Sequence, residues 1–567
     1  MIPNAEKVEV RYREVNGSGV TKRPPGLAQA GPLRLNSTSD EIYLMTDQNV
    51  VVDDEVEVLV VGGGPVGLTA RALLERWGVE VLLVEKYREL SPFPRSRLVN
   101  VRSMEILRGL ALDEKVAGAA FRPEFGSIRF RETLNSPDYA GADWVGVKTP
   151  IPESPVLGVV TTQDRLEPHL LGAAAAPVRF GSELIEVTEE SDGVVAELLD
   201  HERGVRTHVR ARYVLAADGA TSTVRRLLDI GTEGPGAIAD VTTVVFDADL
   251  DRWCAQHPAG VYFLAHGSLI PLYPEGGWAW LGPVPEATED TDWRAYVTRL
   301  LDTPDDVPVN VLRVQHWEMK AFVAERFGHG RILLAGDAAH AVPVTGGLGM
   351  NAGLADVHNL CWKLAGVLRG WAAPGLLDTY EPERHPVAER TLRQAVANAQ
   401  LLFQVQARRR EQLGSGAPSS EQIELPWSER YFAQLGLILG VTYDSAAVLP
   451  DGSAPPEPDD PGTDYVPTAR PGHRMPHFRL GPDRSSLDAL GEWFTLFTPD
   501  PGAWKGQEAP SWPLRVETLP AEHTDACGLG PRGAVLVRPD GHVGARWPDG
   551  PPGDRAVREA LAVITGH

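Results

Sequence analysis

The stretch VEVLVVGGGPVGLTARALLERWGVEVLLVE, Val56 to Glu85, constrains the fold more than any other part of the chain. VEVLVV reads as a buried strand, as strands of parallel sheets do. Gly62, Gly64 and Gly67 follow at the spacing of a dinucleotide fingerprint. Gly62 permits a tight turn, Gly64 lets backbone approach a pyrophosphate, and Gly67 lets helix and strand pack closely. Ala70, Leu73, Leu74 and Trp77 then share one helical face. The second strand, VEVLLVE, ends on Glu85, 23 residues after Gly62. A carboxylate there accepts hydrogen bonds from both ribose hydroxyls and repels a 2′-phosphate, so the site suits an unphosphorylated adenosine. The helix start adds N–H groups and the positive end of a dipole.

A second match, Gly528 to Gly533, follows AEHTDAC and leads into a strand, so it is accidental. The chain therefore offers one dinucleotide site. Two other segments have a related build. YVLAADGATSTVRRLLDI (Tyr213–Ile230) reads as strand, Asp218-Gly219 turn, and helix carrying Arg225 and Arg226. RILLAGDAAHAVPVTGGLGMN (Arg331–Asn351) reads as strand, Gly336-Asp337, glycine loop and helix start near Asn351. Taken singly, each Asp-Gly or Gly-Asp is a plain turn.

The length of 567 residues predicts two or three domains. With 54 basic and 77 acidic residues the net charge is −23, which argues against nucleic-acid or anionic-lipid partners. Three cysteines, Cys254, Cys361 and Cys527, make neither a disulfide framework nor a four-cysteine zinc site, and a cytoplasmic protein is expected. The N-terminus lacks a signal-peptide core, and no apolar run reaches about 18 residues, so no membrane span is expected. Residues 1–50 form an extension of unassigned role, with weak alternation at Val8, Val10 and Tyr12 and an alternative start at Met45. Residues 240–282 alternate in short runs, as half-exposed antiparallel strands do, and mark an inserted sheet domain taken as 240–325. GSGAPSS and LPDGSAPPEPDDPGTDYVPTARPG mark linkers before a C-terminal domain with strands WFTLFT and GAVLVRP and helix DRAVREALAVI.

In this order the segments resemble the single-component FAD-dependent aromatic hydroxylases, typified by para-hydroxybenzoate and phenol hydroxylases. The likeness rests on Val60–Lys86, PRSRLVNVRSMEILR (Pro94–Arg108), TTQDRLEPHLL (Thr161–Leu171), the Asp218-Gly219 segment, Gly330–Gly370 and Leu376–Leu392. RPGHRMPHF, FTLFTPD and GAVLVRPDGHVGARW resemble the C-terminal domain of phenol-hydroxylase relatives, and the whole looks most like bacterial aromatic polyketide hydroxylases of antibiotic biosynthesis. The implied fold is α/β: a Rossmann-like FAD-binding domain, an inserted antiparallel-sheet substrate domain, and a thioredoxin-like C-terminal domain. The boundaries are 51–239 and 326–415 for the two parts of the FAD domain, 240–325 for the sheet, 416–465 for a helix and Pro-rich linker, and 466–567 for the thioredoxin-like domain.

The resemblance implies the following roles. Gly62, Gly64 and Gly67 hold the FAD pyrophosphate, Glu85 the ribose, and Lys86 lies by the adenosine. Arg95 reaches the flavin side, and Gln163 the ribityl or phosphate portion. Asp218 serves FAD and transient NADPH contact. Gly336, Asp337, Pro343, Gly347, Leu348, Gly349, Met350 and Asn351 form the ribityl and ring end. There Asp337 binds the ribityl chain or orders water, and Leu348 to Asn351 offer backbone N–H groups. A helix start at that point favours the negative charge of reduced flavin.

The implied reaction uses NADPH or NADH and O2 to hydroxylate a polycyclic phenolic molecule through a flavin C4a-hydroperoxide; Baeyer–Villiger oxygenation of a polyketide ketone is the alternative. No catalytic residue is assigned, and His340 reads as a packing and hydrogen-bonding residue. Tyr262, Tyr273, Trp278, Trp280 and Trp317 are candidates for the substrate wall. Two departures stand out. Val344 follows Pro343 where relatives commonly carry a second proline. The C-terminal domain holds only Cys527, so its role is structural or in a homodimer contact rather than dithiol chemistry.

Overall fold

A computed structural model describes residues 52–285, 291–302, 307–416, 418, 421–423, 434–458 and 464–567. The N-terminal extension and parts of both linkers lie outside these residues.

The fingerprint strand Asp54–Val61 sits in the middle of an eight-stranded sheet. It pairs in parallel with Val81–Glu85 on one side and Val205–Ala216 on the other, and Ile332–Leu334 extends the parallel set. The registers bring three carboxyl ends side by side. Ala217 N–H donates to Val61 O at 2.7 Å, and Ala335 N–H to Ala216 O at 2.9 Å. Chain segments that lie more than 100 residues apart therefore leave one sheet edge together, at Gly62, Asp218 and Gly336. The crevice outside the carboxyl ends of such strands is where ligands bind in open α/β sheets.

The second sheet also has eight strands. Its long strands Thr232–Asp247 and Asn310–Ala324 pair antiparallel, with Gly276–Pro283, Gly267–Tyr273 and Val261–Leu264 completing the meander. This sheet departs from the 240–325 segment. Ser127–Phe130 adds in parallel to Val261–Leu264, Ala140–Asp143 follows it, and His340–Ala341 closes the other edge. The two early strands, SIRF and AGAD, are four residues each, too short to show a period.

The aromatic candidates divide between the two faces of this sheet. Tyr262, Trp278 and Trp280 are buried with Val244, Phe246 and Leu269 against helix Trp293–Leu301. They are core, a correction to their reading as substrate wall. Tyr262 Oη donates to His257 O, and Trp278 Nε1 to Ala248 O, so their polar ends are spent inside that core. Trp317 lies on the opposite face, where its Nε1 donates to Thr243 Oγ1 at 3.0 Å. Tyr273, at a strand end, donates to Asp164 Oδ2 at 2.7 Å. Trp280→Ala is expected to cost about 3–5 kcal/mol in urea unfolding, against about 1 kcal/mol for Trp317→Phe. Equal costs would contradict this division of faces.

The C-terminal domain carries a four-stranded sheet in the order Leu514–Thr518, Phe494–Thr498, Ala534–Val537, Val543–Trp547, flanked by helix Ala556–Thr565. It is not a separate body. One apolar core runs from the fingerprint strand through Trp362 to Phe494, Leu536 and Leu561. Cys527 is buried alone, and burial pushes its thiol up to about 12.

Candidate functional site

The fingerprint turn has three different glycines. Gly62 has φ +108°, and a Cβ on it would overlap Ala217 O. A Cβ on Gly67 would overlap Gly62 O. A Cβ on Gly64 would meet no protein atom within 4 Å. Two of them serve the fold, and the third opens outward, with room for a ligand. Helix Pro65–Arg76 begins there with proline in its first turn, no acid in that turn and no side-chain cap. Its first N–H groups are therefore left for an anion. Glu85 is oriented by the same turn. Gly63 N–H donates to Oε2 at 2.6 Å, and Tyr87 N–H to Oε1 at 2.9 Å. Lys86 is exposed, with Nζ 5.2 Å from the Tyr87 ring centroid.

The Asp218 turn is bound to the Gly336 loop. Arg225 Nη1 donates to Ala338 O at 2.8 Å and Nη2 to Ala220 O at 3.1 Å. Asp218 Oδ2 accepts from Val224 N–H at 3.1 Å, while its buried Oδ1 has no partner.

The Gly336 loop meets the fingerprint itself. Val66, inside the fingerprint, wedges between Gly336 and Gly353: a Cβ at either would stand 2.9 or 2.5 Å from Val66 Cγ2. Asp337 is exposed in the cleft, and Oδ1 lies 3.8 Å from the position of a Cβ on Gly349. Helix Gly349–Arg369 begins there, again with no acid in the first turn and no side-chain cap. Leu348 is its cap residue, and the helix starts two positions before the expected Asn351. Pro343 is buried, and Val344 stands 53% exposed at the loop's bend, where Gly347 N–H donates to its carbonyl.

Asn351 departs from expectation in one respect: its side chain is a clasp. Its Oδ1 accepts from Asn100 N–H at 2.9 Å, and its Nδ2 donates to Leu98 O at 2.8 Å and Gly347 O at 2.6 Å. His340 is fully buried, with Nε2 2.6 Å from Asp356 Oδ2. Burial opposes ionisation of Asp356, but His340 and Arg384 outweigh it and hold the carboxyl near 2.

The other wall is the start of helix Gln163–Leu171. Gln163 Nε2 donates to Glu167 Oε1 at 2.7 Å. Arg95 is exposed, and its charge favours ionisation of both Glu167 and Asp337. Two neighbours went unnoticed in the sequence. Arg97, the second arginine of PRSR, buries its guanidinium, with Nη1 donating to Gly260 O at 2.6 Å and Nε and Nη2 unpartnered. Desolvation brings it down to about 9. Glu167 buries Oε2 without a partner, and desolvation raises its carboxyl to about 7. No local signal separates Arg97 from Arg95; burial alone does.

The raised value of Glu167 has a sign. The folded state prefers the neutral carboxyl, so stability is full below the unfolded value of about 4 and falls as pH rises through about 7. Glu167→Gln is expected to flatten the pH dependence of apo-protein melting, removing a loss of about 2–3 kcal/mol between pH 5 and pH 8. An unchanged profile would contradict it.

Two uncapped helix starts, an outward-opening Gly64 and an orphaned Asp218 Oδ1 follow the carboxyl ends of neighbouring strands of one sheet. This arrangement fits a dinucleotide with a pyrophosphate at one helix and an electron-accepting ring at the other. Among the described residues no group of three or more His, Cys, Asp or Glu is placed for a metal ion, and no helix is long and apolar enough to cross a membrane.

Comparison with known proteins gives concordant findings. A family model described as FAD binding domain matches residues 55–395, and one described as aromatic-ring hydroxylase, C-terminal, matches 468–567. Aklavinone 12-hydroxylase RdmE of Streptomyces purpurascens is 36% identical over 556 residues, covering 91% of this chain and 98% of its own length. Tetracenomycin B2 monooxygenase-dioxygenase of Streptomyces olivaceus is 33% identical over 559 residues, covering 90% and 98%. The solved structure of the flavin-dependent monooxygenase PieE with FAD and substrate superposes with a TM-score of 0.80 at 32% identity, covering 91% of this chain and 99% of that one. A ternary complex of aklavinone-11 hydroxylase with FAD and aklavinone gives 0.77 at 32%, covering 91% and 100%.

Proposed function

The chain belongs to the FAD-dependent aromatic-ring hydroxylases, and from that premise we propose that it uses NADPH or NADH and O2 to hydroxylate a polycyclic aromatic polyketide. The observation that carries the reading is the convergence of Gly62–Gly67, Asp218 and Asp337–Asn351 on one sheet edge. Three segments then serve one FAD, and none is left over for a second nucleotide. The Gly528–Gly533 match supports this, since it leads into strand Ala534–Val537 and not a helix. A nicotinamide cofactor accordingly makes a transient visit to the same cleft. The substrate class follows the relatives named for aklavinone and tetracenomycin.

Bound FAD supplies the electron transfer and oxygen activation. The chain supplies the rest. The start of helix Pro65–Arg76 would neutralise the pyrophosphate, and Glu85 would accept from the ribose hydroxyls. Gln163 and Asp337 would hold the middle of the cofactor. The start of helix Gly349–Arg369 would offer N–H groups and positive dipole to the ring end of the cofactor, favouring negative charge there. The sheet face bearing Thr243 and Trp317 covers the substrate and excludes water. His340 does not take the substrate's proton, because its Nε2 is committed to Asp356 inside the core.

The test is direct. Purified protein reconstituted with FAD should show a bound-flavin spectrum. A polycyclic phenol should accelerate NADPH or NADH oxidation, with one atom of labelled O2 entering the product. Product NMR showing a new ring hydroxyl supports hydroxylation; an inserted ester or lactone oxygen supports the Baeyer–Villiger alternative. Bound flavin with no stimulation across a polycyclic panel would overturn the substrate class.

A further inference from the structure

Behind the Gly336 loop lies a group of buried charges that the proposed reaction does not use. Arg538 occupies the turn between two C-terminal strands and is fully buried. Its Nη1 and Nη2 donate to the two oxygens of Glu383 at 2.6 and 2.8 Å, and it also pairs with Asp540. Glu383 accepts further bonds from Lys363 Nζ at 2.7 Å, Asn359 Nδ2 at 2.6 Å and Ser445 Oγ at 2.6 Å. Burial alone would raise this carboxyl, but Arg538 and Lys363 outweigh it and hold it well below the usual range.

The next residue of the helix reaches a different set of partners. Arg384 donates Nε to Asp356 Oδ1 at 2.8 Å, Nη2 to Ala352 O at 3.1 Å and Nη1 to Tyr443 Oη at 3.2 Å. Asp356 Oδ2 in turn accepts from Gly336 N–H at 3.0 Å and faces His340 Nε2. Gly336, at φ +59°, immediately precedes Asp337. Tyr443 stacks on His542 of the C-terminal domain, with ring centroids 4.0 Å apart.

Neighbouring helical residues point about 100° apart. Glu383 is gripped from the C-terminal domain, and Arg384 grips the loop. Buried ion pairs roughly break even in stability against apolar packing, so a stability role alone does not account for them. What a fully satisfied polar network adds is a single fixed geometry, and groups that hold a cofactor need such support. We propose that the C-terminal domain positions the Gly336–Asp337 turn against FAD through Arg538, Glu383-Arg384 and Asp356, which makes these positioning residues. This rests on FAD occupying the Gly62–Asn351 cleft.

A double-mutant cycle on the full-length chain tests the linkage. Arg538→Met and Asp356→Asn are titrated with FAD, singly and together, alongside visible circular dichroism of the bound flavin and apo-protein melting. Each single variant is expected to weaken FAD binding about 10-fold, and the pair about 10- to 20-fold, well short of the roughly 100-fold that independent sites would multiply to. Arg538→Met should also alter the flavin dichroism, which a purely structural residue leaves unchanged. If Arg538→Met does not fold, Tyr443→Phe removes only the hydroxyl that Arg384 reaches. It should weaken FAD about 3-fold and shift the dichroism. Multiplying effects, or wild-type FAD affinity and dichroism in a variant with lowered melting, overturn the proposal alone. Wild-type protein that takes up no FAD overturns the cofactor reading along with it.

Discussion

Gly64→Ala should leave apo-protein melting unchanged and weaken FAD at least about 100-fold, whereas Gly67→Ala should cost the apo-protein about 3 kcal/mol. The two glycines stand three residues apart in one turn and look interchangeable in sequence. Their surroundings differ. A methyl on Gly64 meets no protein atom within 4 Å, and the residue has ordinary extended angles, φ −76° and ψ −179°. The fold does not sense it; a pyrophosphate bound as proposed would. A methyl on Gly67 overlaps Gly62 O, so the helix must move off the strand whether or not FAD is bound. Apo-protein melting and a flavin fluorescence titration separate the two. Similar losses of melting temperature in both variants would contradict the outward direction of Gly64.

Asn351→Leu is expected to lower stability by about 3–6 kcal/mol and to abolish FAD retention during purification. The side chain is 4% exposed and satisfies three backbone groups: Asn100 N–H, Leu98 O and Gly347 O. Leucine matches it in size but leaves all three without a partner, each costing about 1–3 kcal/mol in the interior. The damage falls on function as well, because the clasp joins the strand Leu98–Val99 to the loop that opens helix Gly349–Arg369. Asn351→Asp keeps the acceptor but sets a carboxylate against two carbonyl oxygens, so it should fail more severely at pH 8 than at pH 5. A stable, flavin-retaining Asn351→Leu would refute the clasp.

Residues 56–85 were legible because their signals are local. A strand period, a glycine spacing and a following helix all fall within 30 residues. The same holds for the Gly336–Asn351 loop, whose helix start was placed within two residues. Residues whose function depends on remote partners were not legible in this way. Arg95 and Arg97 look alike in PRSR, and only the carbonyl of Gly260, 163 positions away, distinguishes the buried one. Asn351 reads as the start of a helix, and its side-chain role depends on Asn100, 251 positions earlier. Trp280 and Trp317 are equally aromatic on equally alternating strands; which face meets helix Trp293–Leu301 decides that one is core.

The sequence by itself determined the βαβ unit, the Gly62–Gly67 turn within it and the presence of further strand–turn–helix segments, because backbone sterics and side-chain period act over a few residues. The tertiary structure alone decided that Gly62, Asp218 and Gly336 leave one sheet edge together. It also decided that the second sheet recruits Ser127–Phe130 from outside its main segment, and that Glu383 binds the C-terminal domain while Arg384 binds the helix behind the Gly336 loop. Those outcomes depend on which surfaces bury each other's apolar area and complete each other's hydrogen bonds across a hundred residues or more. No local pattern carries that information.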